Sequence, residues 1–381
     1  MKTKTLLINL FAALLATALV NFAPAKEPAT KETKKPLVQI AILLDTSGSM
    51  EGLIEQAKSQ LWRIVNEFAK AKQDGVTPEV QVALYEYGKS SLKAQSGWIR
   101  QIQPLTTDLD KISEELFALR TNGGDEYCGW VIKDAVNELA WSAASDAYKA
   151  IFIAGNEPFT QGPVKYAESC KAAITKGIIV NTIHCGGEGE GINTKWKDGA
   201  DLADGKYLVI DQNRAVVSIE APQDKEIAKL GVELNKTYLA YGVEGKLGAG
   251  RQVSQDAAVA TLAPASGAVA QRAVAKASVN YRNSSWDLVD AVKEQKADVT
   301  KLKTEELPTE MQKLSVEERK TYVETKAKER AEMQAKINAL NQEREKYVAA
   351  RMKEIAGTNT LDAVVISAVR EQSTKRNFKF E

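Results

Sequence analysis

The chain has 381 residues, 44% of them apolar, and a formal net charge of +1. That length accommodates two domains with ordinary cores, and a charge so close to zero excludes a bulk electrostatic grip on nucleic acid. His184 is the single histidine, which excludes triads and zinc sites built from two or more histidines.

In chain order, residues 1–25 read as a secretory signal peptide. Lys2 and Lys4 precede an apolar segment from Leu6 to Val20, and Ala23-Pro24-Ala25 supplies small residues for cleavage before Lys26. The competing reading is an uncleaved membrane anchor, for which the stretch is slightly short. No Cys follows it, so a lipid-modified N-terminus has no support. The expectation is a periplasmic or secreted protein. Residues 26–36 are charged, bounded by prolines and free of apolar periodicity, and form a linker.

From residue 37 to about 220 strands alternate with helices. Leu37 to Leu44 is a continuous apolar run, the mark of a buried strand, and Asp45-Thr46-Ser47-Gly48-Ser49-Met50 makes a turn into a helix from Glu51 to about Lys72. Val80 to Tyr87 reads as a strand, Trp98 to Ile102 as an edge strand, and Asp108 to Leu119 and Trp130 to Ala140 as helices. Ala150 to Ala154 and Ile178 to Ile183 are strands flanking a helix near Val164 to Thr175. A short helix at Trp196 to Leu202 and a strand at Tyr207 to Ile210 close the series. The fold class is α/β: a doubly wound, mainly parallel sheet covered on both faces.

Residues 221–381 are mostly α-helical. Glu226 to Tyr241 suits an amphipathic helix, and Ala257 to Ala277 is Ala-rich with an interruption at Pro264 and Gly267. Ser315-Val316-Glu317-Glu318 is a capping box that starts a helix running to about Ile355. Met333, Ile337, Leu340, Tyr347 and Ile355 give it a narrow apolar seam. That seam either packs on its neighbours or forms a coiled coil, from about residue 309, that makes a homo-oligomer.

The turn after the first strand carries the chemistry. Asp45, Ser47 and Ser49 bunch one carboxylate and two hydroxyls at a strand's carboxyl end, a hard-oxygen set suited to Mg²⁺. Ser49 would also serve as a helix N-cap, which is compatible with metal binding. Asp-Thr-Ser-Gly is similar to the Asp-Thr-Gly of aspartic proteases, but those need two such aspartates, and no second copy is present.

With a strand before it and a helix after it, Asp-x-Ser-x-Ser resembles the metal-ion-dependent adhesion site of von Willebrand factor type A domains. The order of elements over 37–220 is similar too. The resemblance implies a six-stranded sheet with one antiparallel edge strand, and a divalent cation held at the carboxyl ends of its strands. In that family a Thr after a Gly-Gly turn and an Asp closing a later strand join the site. Here Asp125, after Gly123-Gly124, falls where the Thr would be, and Gly155 where the Asp would be, with Glu157-Pro158 retained just beyond. The expected metal residues are therefore Asp45, Ser47, Ser49 and Asp125, with Glu157 or Asn156 covering part of the missing role. The two departures keep two carboxylates in the site. Asp125 binds either directly or through water; bound directly, it weakens capture of a partner's acidic side chain and favours Ca²⁺ or Mn²⁺ over Mg²⁺.

Of the cysteines, Cys128 precedes a helix and Cys185 ends a strand, at one end of the sheet. A 128–185 disulfide is the expectation, against three buried thiols as the alternative. His184 beside Cys185 is better read as structural than as a soft-metal ligand, and the acidic Gly186 to Gly191 loop lacks the spacing of a phosphate loop. The functional expectation is a non-enzymatic exported protein that binds a protein or peptide partner through a metal-capped surface. The alternative is a metal-independent envelope scaffold acting through its helical half.

Overall fold

A computed structural model describes residues 35–380 apart from 212–218, 263–266 and 355–360. The expected signal segment 1–25, nearly all of the linker 26–36, and Ile355 of the apolar seam lie outside the described residues.

The chain first forms β1 (Leu37–Asp45), α1 (Glu51–Ala69), β2 (Ala71–Gln73), β3 (Glu79–Tyr87) and β4 (Ile99–Thr106). It continues through α2 (Leu109–Ala118), α3 (Cys128–Glu138), β5 (Tyr148–Gly155), α4 (Tyr166–Thr175), β6 (Ile179–Cys185), α5 (Glu188–Asn193), α6 (Trp196–Asp201) and β7 (Tyr207–Ile210). Six of these strands make one sheet in the order β4-β3-β1-β5-β6-β7, parallel except for β4. The order reverses at β1, whose two flanking connections run to opposite sides; ligands of open α/β sheets bind beyond the strand ends at such a point.

Alternation along β1 sends Ile40 and Leu44 to one face and Ala41 and Leu43 to the other. The first face is covered by α1 and α2 through Leu53, Leu61, Val65, Ile112 and Leu116. The second is covered by α3, α4 and α6 through Val131, Ile132, Ala173 and Trp196. This is why β1, β3, β5 and β6 read as largely apolar runs: each is buried on both sides, whereas β4 at the edge is only partly covered.

The remaining elements are α7 (Asp224–Asn235), α8 (Gly245–Ala260), α9 (Ala268–Lys276), α10 (Leu288–Lys293), α11 (Val316–Glu354), α12 (Leu361–Thr374) and β8 (Phe378–Phe380). The Ser315–Glu318 capping box forms at the start of α11, with the Glu318 carboxylate accepting from the Ser315 N–H at 2.8 Å. Three residues of the α11 seam are used within the chain: Met333, Ile337 and Leu340 pack against Ile227, Leu234 and Ala273 of α7 and α9. Buried ion pairs lock these helices in place. Arg272 of α9 donates to Asp110 of α2 at 2.7 Å, its guanidinium lying 4.7 Å over the Trp62 ring. Arg330 of α11 binds Asp287 at 2.6 Å and Asp290 at 2.9 Å and stacks on Tyr238. Removing one partner from such a pair strands a buried charge.

The end of the chain then returns to the sheet. Leu361, Val365, Ala368 and Val369 of α12 and Phe378 of β8 join the core on the α1 side, and β8 pairs antiparallel with β2. The Gln372 amide donates to Asn181 of β6 at 2.5 Å, and its carbonyl accepts from the Tyr148 hydroxyl at 2.8 Å.

All three cysteines are buried and unpaired, so the 128–185 disulfide is not formed. Cys128 packs in the core on one face of the sheet and Cys185 in the core on the other. A strand layer therefore separates two sulfurs whose Cα atoms would need to lie within about 7 Å.

Candidate metal centre

Three loops meet where β1 ends. The Thr46 N–H donates to the Tyr87 carbonyl at 2.8 Å, the Asn122 N–H to the Thr46 carbonyl at 3.0 Å, and the Ser90 N–H to the Gly123 carbonyl at 2.6 Å. The turn after β1, the end of β3 and the Gly123-Gly124 loop are thereby tied into one rim. Asp45, 0% exposed, points into it. One oxygen, Oδ1, accepts the Ser47 N–H at 2.7 Å, while Oδ2 is buried without a partner. The Ser47 and Ser49 hydroxyls lie 3.1 Å apart beside it, and Ser49 reaches Asn156 at 3.4 Å.

The second carboxylate is Glu126, not Asp125. Asp125 is exposed, whereas Glu126 is 5% exposed and its Oε2 is buried without a partner. The segment from residue 121 to 127 runs without regular structure; residues 122–125 face solvent and Glu126 turns inward against Asp45. Gly88 lies against both inward acids: a Cβ there would sit 2.7 Å from Glu126 Cγ and 2.8 Å from Asp45 Oδ1. At φ +80° it also occupies the left-handed region that suits glycine. Gly155, where the resemblance puts an aspartate, has no room for one. A Cβ there would meet the Tyr87 hydroxyl at 2.6 Å and Asp45 Oδ2 at 3.0 Å.

Glu157 stands outside the pair. Its side chain is exposed and accepts from Gln161 Nε2 at 3.4 Å, while Gln161 Oε1 accepts the Glu126 N–H at 3.1 Å. Its main-chain carbonyl is held by the Trp196 indole at 2.9 Å. His184 is fully buried against Trp196, with Glu190 3.7 Å from Nε2; burial holds its pKa below the ordinary value. It takes no part in the rim.

Burial, then the adjacent Asp45 charge, pushes the Glu126 carboxyl up to about 9. Burial also raises Asp45 to about 6, opposed by the N–H and hydroxyl of Ser47 and by Glu126. With only protons available, the pair is one carboxylate and one carboxylic acid at neutral pH. Among the described residues no three His, Cys, Asp or Glu side chains gather to hold a metal. The donor set is two carboxylates and two hydroxyls, all hard oxygens, with two buried oxygens left unpartnered. That chemistry fits Mg²⁺, Ca²⁺ or Mn²⁺.

A mixed, doubly wound sheet with an acid and two serines at its switch point makes an open α/β domain whose ligand end lies at Asp45. Residues 39–196 match the family model of the von Willebrand factor type A domain, and the chain carries such a domain over that stretch. Domains of this family often mediate protein–protein interactions, many through metal sites. Similar solved structures include the conserved hypothetical protein BatB from Bacteroides thetaiotaomicron, 19% identical, covering 46% of this chain and 90% of that one with a TM-score of 0.35. The SpRpn10 VWA domain is 17% identical over 46% of this chain and 88% of its own, with a TM-score of 0.35. Proximal thread matrix protein 1 from the mussel byssus, with a zinc-occupied MIDAS motif, is 13% identical over 46% and 42%, again with a TM-score of 0.35. No curated protein matches the chain.

Proposed function

We propose that this protein is an exported binding protein, without enzymatic activity, whose type A domain holds a divalent cation and engages a protein partner on the surface around it. The observation that carries the reading is the pairing of Asp45 with Glu126, two acids buried against each other beside the Ser47 and Ser49 hydroxyls, whose Oδ2 and Oε2 have no donor but the proton the pair shares. Holding two acids buried against each other is costly through desolvation and like charge, and a dication would offset both carboxylates at once. Asp45, Ser47, Ser49 and Glu126 would hold it; the cation would supply a positive centre at the carboxyl ends of the strands. Export rests on the signal pattern at 1–25 and is checked by the mass of the mature N-terminus.

The test is melting of the full chain in Mg²⁺ and in EDTA, with Ser47→Ala and Glu126→Gln beside it. A rise in Tm with Mg²⁺ that both variants diminish supports the reading; no response in the parent chain rejects it. A second reading draws on the exposed apolar side chains Val243, Leu247 and Val253 at and within α8. Here the helical half contacts the partner without metal. Partner capture that survives EDTA and Ser47→Ala but fails with Leu247→Glu would favour it.

A further inference from the structure

Three aromatic rings stand beside the candidate metal centre. Trp98, Tyr127 and Trp130 are each only partly buried. Tyr127 meets Trp98 edge-on at 5.2 Å between centroids and lies parallel to Trp130 at 6.3 Å, with 9° between the planes. Backbone contacts join this cluster to the site. The Trp98 carbonyl accepts the N–H of Gly88, the residue that lies against Asp45 and Glu126, and Tyr127 directly follows Glu126. Gly97 and Gly162 let the chain close on the rings, since a Cβ would come within 2.8 Å of Trp130 and 2.5 Å of Tyr127.

Charge gives the cluster a direction. Asp45 and Glu126 are the two inward acids of this face. Outside them stand the exposed carboxylates Asp125 and Glu157, the latter close enough to act on both inward acids. Lys89 and Arg100 are engaged by Glu86, leaving Lys93 as the exposed cation of the 89–98 loop. An acidic side chain entering here meets like charge, whereas a basic one meets opposite charge and aromatic rings.

We propose that the partner enters this face with a lysine or arginine side chain, laid against Trp98, Tyr127 and Trp130 and paired to Asp125 and Glu157. The proposal rests on the reading that the Asp45 surface is the binding face, and it names the chemistry that face accepts. An acidic side chain docking on the cation itself is the outcome it excludes.

The test uses the full chain labelled with ¹⁵N at tryptophan, at physiological salt and with Mg²⁺. It is titrated with capped glycine peptides carrying one central Arg, Glu or Leu. Indole signals of Trp98 and Trp130 are assigned from Trp98→Phe and Trp130→Phe. The Arg peptide is expected to shift both signals and to bind about tenfold more tightly than the Glu peptide. The double variant Asp125→Asn/Glu157→Gln is expected to remove that preference while keeping a single calorimetric Mg²⁺ site, weakened by the loss of nearby negative charge. Tighter binding of the Glu peptide, equal binding of all three, or a preference that survives the double variant overturns the proposal. Mg²⁺ binding without Arg-peptide binding sinks this inference alone; Arg-peptide binding without Mg²⁺ binding sinks the metal reading alone.

Discussion

Replacing Glu126 by Gln should remove a specific slope from the pH dependence of stability. Glu126 is buried against Asp45 and its carboxyl is driven up to about 9. In the unfolded chain the same carboxyl titrates in the ordinary range. Between those limits the folded state holds a proton that the unfolded state has released. Stability is therefore fully present below the unfolded pKa and is lost as pH rises toward the folded one, by up to about 1.4 kcal/mol per unit. From about pH 6.5 to about pH 8.5 that amounts to roughly 3 kcal/mol. Asp45, raised only to about 6, contributes little in that window. The Gln amide is nearly isosteric and can donate to Asp45 as the protonated acid does, so the variant should keep the fold and lose the slope. Urea unfolding in EDTA at three pH values across the window, for parent and variant, isolates the difference. Parallel pH dependences in the two proteins would refute the argument that these carboxyls share one buried space.

Further outcomes follow from other contacts. Gly155→Ala should destabilise by on the order of 2–3 kcal/mol in urea unfolding, because its Cβ would press on the Tyr87 hydroxyl and Asp45. Ending the chain at residue 360 removes Leu361, Val365, Val369 and Phe378 from the core, a loss of roughly 6–12 kcal/mol at about 1.5–3 kcal/mol per side chain. That is comparable to the whole stability of a typical domain, so the truncated protein should lack a cooperative melt. Cys128, Cys170 and Cys185 should resist a thiol reagent until the protein unfolds, and reductant should leave Tm unchanged, since all three are buried and unpaired.

Much of the fold was legible because the sheet is buried on both faces. Runs such as Leu37 to Leu44 carry their own signal, and caps such as Ser315 mark helix starts chemically. The order of elements through Tyr207–Ile210 followed in the same way, while the antiparallel direction of the edge strand came only from the type A resemblance. The return of the chain to the sheet was not legible. β2 and β8 are three residues each and exist as each other's partners, and α12 gains its place from a core whose strands lie far earlier in the chain. In the site, Asp45, Ser47 and Ser49 were readable as a unit because one turn carries all three. Glu126 was not, since Asp125 and Glu126 are chemically alike and only the path of the 121–127 segment decides which one turns inward. The disulfide expectation failed on the same kind of ground: Cys128 and Cys185 share an end of the sheet but not a face.

The central claim is that Asp45, Ser47, Ser49 and Glu126 form a divalent-cation site. Calorimetric titration of Mg²⁺ into the full chain, beside Asp45→Asn, Glu126→Gln and Asp125→Asn, tests it most directly. The account predicts a single site that is lost in the first two variants and kept in the third. Binding that survives Glu126→Gln but disappears with Asp125→Asn, or no binding in the parent protein, would contradict it.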